Sequence, residues 1–581
     1  MKIKQILLIL TMCIGTFLCM LDTTVMNIAL PAIQSSMNVP LTSLSWALNI
    51  YTITFAALTI PLSRLADIWG RNKIYLVGLL IFASGSFVSG MANVPTVLII
   101  GRGIQSIGAA IVFPTSMTIA IDTIDQEHRS KALLTIGLTQ GLAATLGPTI
   151  GGVVTQFMGW RWVFYINLPL VVLAIVGVIL QLQLSHEKKI DAKIDVGGMI
   201  SLMVTLFSLA LGLTQGNDWG WMNYRIISLT LITIVSFIIF IIIEKRVTDP
   251  MIRLDLFKNR QFSGSALTVV LAGLLLVAVM VIMPTFFTQV QGKTELIAAL
   301  LITPASLMIF LVSPITGIIV EKFGPRLIIF IGFLSMSMGY AVLGFVNSEY
   351  YWQIFLGLIL IGFGYGTVIG PITVLAASDF KGEKLSASQS VMGVLRQIGN
   401  IIAVAIFVSM LTTNVSKAKE NAWTDAQKLI STSELTSTSK KDMLKVTHSH
   451  FESSDAKTNG NDEKGISKTK EQRLIQTNVA EALRKAKISQ LSDQQGEQVK
   501  EQITFEVTNE IKEMVKKDNR IINRDANKIS KNANHLISKA FLNLYFMALP
   551  FTIVFIPVCL LFYKRDEYKK ILMKSKRDIN D

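Results

Sequence analysis

Charge is what this chain lacks over long stretches. Between Lys4 and Arg64 the only formally charged residue is Asp22, and charged residues make up 16% of the 581 against 51% hydrophobic. A soluble protein of this length divides into several domains and carries more charge, so the bilayer is the solvent to reason with. Cysteine is scarce as well: Cys13, Cys19 and Cys559 all fall in predicted spans, at spacings that suggest neither a disulfide framework nor a thiolate metal site. The five histidines, His128, His186, His448, His450 and His535, all lie outside predicted spans, which argues against a membrane-embedded histidine relay. The chain has no GxxxxGK[ST] loop, so direct ATP drive is not expected.

What is present is a series of apolar windows. Fourteen of them, the first near 6–30 and the last near 540–563, are long enough to cross a hydrocarbon core as helices. The opening MKIKQILLIL places positive charge ahead of apolar residues as a signal peptide does, but its run is too long and lacks a small-residue cleavage site, so a retained span is expected. The net charge of +15 comes from Lys and Arg in short loops, the tail and one polar segment. That distribution reads as membrane topology, not nucleic-acid binding. The loops SRLADIWGRNK, DQEHRSK, HEKKIDAK, EKFGPR and DFKGEK each hold two or more Lys or Arg, whereas QSSMNVPLTS, MANVP and NSEYYW hold none. The positive-inside rule therefore places both termini in the cytoplasm.

Residues 412–538 break the pattern, being polar, Lys-rich and free of proline. The topology puts them outside the cell. EQRLIQTNVAEALRKAK and GEQVKEQITFEVTNEIKEMVKK have helical composition, so two or more exposed helices are expected around a flexible middle at SSDAKTNGNDEKGISKTK.

The chain also repeats itself. SRLADIWGRN and GIIVEKFGPR align with Asp67 on Glu321 and Gly70 on Gly324, an offset of 254. EHRSKALLTIGLTQGLA and EKLSASQSVMGVLRQIG align with Gly137 on Gly393, an offset of 256. Two matches at nearly one spacing indicate duplicated six-helix halves, spans 1–6 and 9–14, with spans 7 and 8 inserted between them. Transporters built from such repeats hold substrate near the midplane between the halves.

At these residues the chain resembles the major facilitator superfamily, and within it the fourteen-helix drug:proton antiporter branch. LDTTVMNIALP is similar to the span 1 signature of that branch, RLADIWGRNK to the loop between spans 2 and 3, and GRGIQSIGAA to the span 4 arginine motif. GPTIGG resembles the span 5 antiporter motif, WRWVFYINLP the opening of span 6, and PMIRLDLFKNRQF the approach to span 9. Ser63, Ile68, Ser106 and Ala143 depart from the pattern; three are small replacements, and Ile68 removes a charge from the loop. The resemblance covers nearly the whole chain apart from residues 412–538 and implies an all-α polytopic membrane protein of the major facilitator fold, with two six-helix bundles, two inserted helices and fourteen spans; composition and topology add the extracellular helical insert. Expected divisions are 1–185 (N-terminal bundle), 186–260 (inserted helices), 261–411 (first five helices of the C-terminal bundle), 412–538 (insert) and 539–581 (last span and cytoplasmic tail).

The implied activity is proton-coupled export of small amphipathic organic compounds across a bacterial cytoplasmic membrane, powered by the proton gradient without a cofactor, a metal or enzymatic chemistry. Such an exporter needs a group that gains and loses a proton while facing each side in turn. Asp22 is the one acid within a predicted span, and it is the candidate carrier. Arg102 either pairs with it or bonds backbone carbonyls; Gln105 and Asn27 could complete a polar cluster. Asp67, Gly70 and Arg71, with Glu321 and Gly324 in the second half, form a candidate inner gate. Gly147, Pro148, Gly151 and Gly152 leave a smooth, kinkable face on span 5. Trp46, Tyr51, Phe55, Phe286, Phe287 and Arg396 are candidates for lining the substrate cavity. If Asp22 is structural, the acids at span mouths, Asp122, Asp218 and Glu295, are the next place to look. One acid against two arginines suits neutral, zwitterionic or anionic amphiphiles better than dications. Three alternatives stay open: a dedicated lipid or metabolite exporter or flippase, an importer, and a sensor or surface-binding scaffold whose insert has its own partner.

Overall fold

The computed structural model describes residues 3–39, 41–124, 129–182, 187, 194–250, 252–346, 350–378, 380, 383–452, 466–486 and 493–570. The helices are α1 (Ile3–Met37), α2 (Leu41–Trp69), α3 (Arg71–Gly90), α4 (Pro95–Thr123), α5 (Arg129–Phe157), α6 (Trp162–Tyr165), α7 (Asn167–Gln181), α8 (Val196–Trp219) and α9 (Tyr224–Glu244). They continue as α10 (Arg260–Thr285), α11 (Glu295–Phe323), α12 (Pro325–Phe345), α13 (Tyr351–Ser378), α14 (Glu383–Thr432), α15 (Ser437–Glu452), α16 (Lys468–Lys485) and α17 (Asp493–Phe555).

Among the described residues, thirteen helical stretches are long and apolar enough to cross a membrane. Fourteen were expected. The remaining one, α5, is a helix of 29 residues whose Gly, Thr and Gln content dilutes its apolarity. It nevertheless packs against both α1 and α11. Several hydroxyl groups in these apolar helices are satisfied locally: Thr16, Thr24, Thr115 and Ser116 donate to carbonyls three or four residues back, which removes the cost of a bare polar group in an apolar setting.

Two compact units emerge. The first comprises Met1–Thr288, Lys293–Met410 and Leu542–Asp581; the second comprises Gln289–Gly292 and Leu411–Phe541. Within the first, the repeat is visible as geometry. Helices α2 and α3 meet at Gly70 with φ +113°, and α11 and α12 meet at Gly324 with φ +84°. Both are backbone conformations that side-chain-bearing residues rarely adopt, which is why glycine stands at each turn. Helix α3 packs on α4 as α12 packs on α13, and α4 begins at Pro95 as α13 begins at Tyr351, 256 residues apart. The inserted helices α8 and α9 pack on each other, and α8 lies against α2.

The sixth span runs through α6 and α7 with only its hydrogen-bond ladder interrupted: Ile166, between them, keeps a helical backbone (φ −60°, ψ −24°), and Pro169 in the first turn of α7 has no N–H to donate back to α6. Asn167 is the first residue of α7.

The second unit is helical and has a small core of Ile430, Leu435, Met443 and Ile521. Thr436 donates to the buried Asp518 (2.8 Å), Lys470 pairs with Asp442, and Trp423 meets the His448 ring edge-on at 4.8 Å between centroids. Of the expected flexible middle, 453–470, residues 453–465 lie outside the described residues, and its end is not flexible but helical, Lys468–Lys470 being the first residues of α16, capped by Ser467.

Candidate functional site

The site grows from Asp22. Helix α1 buries the Asp22 side chain to 1% exposure, and Arg102 of α4, also 1% exposed, donates to its Oδ2. An ionised carboxylate in such a place is tolerable only when paired and hydrogen-bonded. The remaining valences are met around it. Gln105, one turn along α4, accepts from Arg102 (2.9 Å) and donates to Asp22 Oδ1 (2.8 Å). Asn167 reaches Asp22 Oδ1 at 3.5 Å and donates to Ser86 Oγ at 3.1 Å, while Ser86 donates to the Phe164 carbonyl at 2.9 Å. Arg102 also donates through Nε to the Ala47 carbonyl (3.4 Å), and its guanidinium lies 4.2 Å from the centroid of Tyr51. Both partners left open for Arg102, the carboxylate and a backbone carbonyl, are therefore used.

Three expected members come together here: Asp22, Arg102 and Gln105. Asn27 lies on α1, its side chain outside the described residues. Ser86 and Asn167 were not anticipated. Asn167 stands in WRWVFYINLP, and its position just before a helix-starting Leu-Pro was the one signal available.

Arg102 also borders a cavity of about 320 Å³ within the first unit. Its apolar wall includes Met20, Leu276, Met280, Ile302, Ile309 and Ile369; its polar atoms come from Thr23, Asn49, Gln140, Tyr365, Gln397 and Asn400 among others. Tyr51 and Arg396 line it, as expected. Trp46, Phe55, Phe286 and Phe287 are not among its lining residues. Phe55 turns into the protein, stacked on Tyr51 and edge-on to Phe113, and Phe286 and Phe287 are fully buried against each other with Phe287 against Tyr351. Trp46 is half-buried near the start of α2. Large apolar rings find more contact area in packing than along a wall that contains polar groups.

The glycines of GPTIGG let α5 sit tightly between two helices. A Cβ on Gly147 would strike Thr24 Oγ1 of α1, one on Gly151 would lie 3.2 Å from the Val25 carbonyl of α1, and one on Gly152 would lie 3.1 Å from Leu296 Cα of α11. Pro148 lies on the cavity wall, and Thr149 shares a 3.3 Å hydrogen bond with Thr303 of α11.

The two candidate gate loops differ. Asp67 pairs with Arg71 at 2.6 Å, one turn on, and Arg71 also pairs with Asp122. Glu187 accepts from the backbone N–H groups of Asn72 (2.7 Å) and Lys73 (3.2 Å), capping the N-terminus of α3 where negative charge is favoured. Glu187 was missed because its loop, HEKKIDAK, reads as a basic anchor. In the second half the residue one turn after Glu321 is Pro325, so no such pair forms and Glu321 is exposed. The arginine comes one position later: Arg326 donates to the carbonyls of Phe562 (3.1 Å) and Leu560 (3.2 Å), and Arg260 donates to Leu561 (2.9 Å) and Leu560 (2.8 Å). Asp122 is exposed at the end of α4 and Asp218 is exposed near the end of α8; the Glu295 side chain lies outside the described residues.

Repeated helical halves, a central cavity and a buried ion pair on its border define a polytopic membrane protein of the transporter class. A family model described as Major Facilitator Superfamily matches residues 12–404, and the chain belongs to that superfamily. It is similar to the multidrug resistance protein Stp of Mycobacterium tuberculosis (strain CDC 1551 / Oshkosh), 29% identical over 423 residues that cover 72% of this chain and 78% of Stp. It is 30% identical to the multidrug transporter protein MdtP of Bacillus subtilis (strain 168) over 410 residues, 70% of this chain and 75% of that one. The riboflavin transporter RibZ of Clostridioides difficile (strain 630) is 26% identical over 422 residues, covering 72% of this chain and 90% of RibZ.

Proposed function

We propose that this protein exports small amphipathic organic compounds across a bacterial cytoplasmic membrane by alternating access, in exchange for protons. The observation that carries the proposal is the Asp22–Arg102–Gln105 cluster bordering the cavity. Relatives named for multidrug resistance and multidrug transport support the substrate class.

Asp22 carries the proton. While it is ionised, Arg102 is held by it and the pair is neutral. Protonation removes the countercharge and leaves a guanidinium buried to 1% exposure, which is costly unless Arg102 moves toward other acceptors or water. The cavity is next to it. Each protonation step therefore biases how α1 and α4 pack, and the glycine face of α5 against α1 and α11 lets the halves move against each other. Asp67, Arg71 and Glu187 close the cytoplasmic side of the first half, and residues 412–538 form an extracellular module.

RibZ favours a second reading, a dedicated metabolite exporter of the same fold. Both readings are tested in liposomes carrying wild type or Asp22→Asn, with an imposed pH gradient and a panel of neutral, cationic and anionic amphiphiles. Uphill movement by wild type and mere equilibration by Asp22→Asn support proton coupling through Asp22. Uphill movement by the mutant overturns it, and movement of a single chemical species from the panel selects the dedicated exporter.

A further inference from the structure

Gln140 of α5 and Arg396 of α14 touch: Arg396 NH1 donates to Gln140 Oε1 at 2.6 Å. They are 256 residues apart, the same offset that separates Gly137 from Gly393 and the start of α4 from that of α13. Equivalent positions of a two-fold repeat can touch only at its axis, so this hydrogen bond marks a point on the axis that relates the two halves. Both residues line the cavity.

Arg396 is unusual in its charge balance. Arg102 and Arg396 are the two charged residues on the cavity wall, and Arg102 is answered by Asp22. Among the described residues, no carboxylate pairs with Arg396, and its buried Nε has no hydrogen-bond partner. A neutral amide is a poor match for a guanidinium, whose planar fork is satisfied best by two anionic oxygens. The same cavity is lined by Gln397 and Asn400, which are linked to each other at 2.8 Å, and by the apolar side chains of Met20, Leu276 and Ile309. The site thus offers one cationic fork in a largely apolar chamber.

We propose that Arg396 is the anion-binding subsite of this transporter, taking an amphiphile with one carboxylate-like group on an apolar body, and that Gln140 holds the position when substrate is absent. The inference rests on the exporter reading and specifies its substrate class. The incoming anion takes Arg396 from Gln140, and the tie between the halves at the axis is released by substrate itself. No cation fits the same place, because nothing on the wall offsets a second positive charge beside Arg396.

The test is equilibrium binding to full-length protein in nanodiscs, by calorimetry, with three probes on one ring system: naphthylacetate, naphthylacetamide and naphthylmethylammonium. Wild type binds the carboxylate about tenfold or more tightly than the other two, as one charge-assisted bidentate contact provides. Arg396→Gln abolishes the preference, Arg396→Lys keeps part of it, and Gln140→Ala strengthens carboxylate binding by removing the competitor. Absence of carboxylate binding by wild type, a preference for amide or ammonium, or a carboxylate preference that survives in Arg396→Gln overturns the proposal. The Gln140→Ala gain guards against a folding loss at position 396. Binding is read without a gradient, so the two readings fail separately. An Arg396-dependent preference with no uphill transport sinks the exporter and keeps the site, whereas uphill transport indifferent to Arg396→Gln and to probe charge does the reverse.

Discussion

Asp22 on α1 and Arg102 on α4 form an ion pair in which each side chain is 1% exposed, with Gln105 hydrogen-bonded to both. Removing one partner strands a buried charge, at a cost of about 3–5 kcal/mol. Arg102→Gln alone should therefore destabilise the protein more than Asp22→Asn/Arg102→Gln does. Thermal unfolding in detergent across the double-mutant cycle measures this, and additive single effects would show that the pair is not coupled.

At Gly70, substitution by alanine should be destabilising by about 1–2 kcal/mol from the left-handed backbone alone. The new Cβ would also come within 2.8 Å of Glu187 Oε2, which caps the next helix. Gly70→Ala is expected to lower the unfolding midpoint and to loosen that cap, a result visible as a lower Tm and faster amide exchange at Asn72 and Lys73. Wild-type exchange in the mutant would contradict it.

Glu187 itself gives a narrower version of the same test. Its replacement by alanine removes two acceptors from the start of α3, worth about 0.5–2 kcal/mol for a helix cap. Hydrogen exchange should accelerate at the first turn of α3 and not at the start of α12, which Glu187 does not reach.

On α5, Gly152 faces the Leu296 backbone closely enough that only a small residue fits. Gly152→Val should force α5 and α11 apart and slow transport strongly, while the protein still inserts and elutes as one species on size exclusion. Normal transport rates in Gly152→Val would remove the sliding role assigned to this face.

Outside the spans, Lys384 holds the Asp255 carboxyl below its ordinary value, chiefly through a 2.6 Å hydrogen bond. A depressed native pKa gives a contribution that is present above the unfolded value, about 3.9, and lost as pH falls through the lower native one. The pair is half-exposed, so the effect on stability is small. Carboxyl NMR of labelled aspartate should show Asp255 titrating below free aspartate in wild type and close to it in Lys384→Ala.

Several parts of the molecule were legible in advance. Long uncharged windows gave the helices, because a chain in lipid must satisfy its backbone internally. A carboxylate isolated in an apolar run marked the site, because the cost of burying charge makes such a residue rare without a partner. The positions around it were less legible. Asn167 arrives at Asp22 from 145 residues away, on another helix. The aromatic residues show the same limit: Tyr51 reaches the cavity, while Phe55, one turn on, packs away from it.

The sequence by itself determined the helices, the duplicated halves and the identity of the buried acid, since hydropathy, repeat spacing and desolvation act on each segment locally. Tertiary structure alone decided which side of each helix faces the cavity, that Gln140 meets Arg396, and that Glu187 caps α3. Helices apolar on nearly every face carry no periodic signal of their rotation. Only packing against neighbours, through glycine contacts and a few paired polar groups, fixes it.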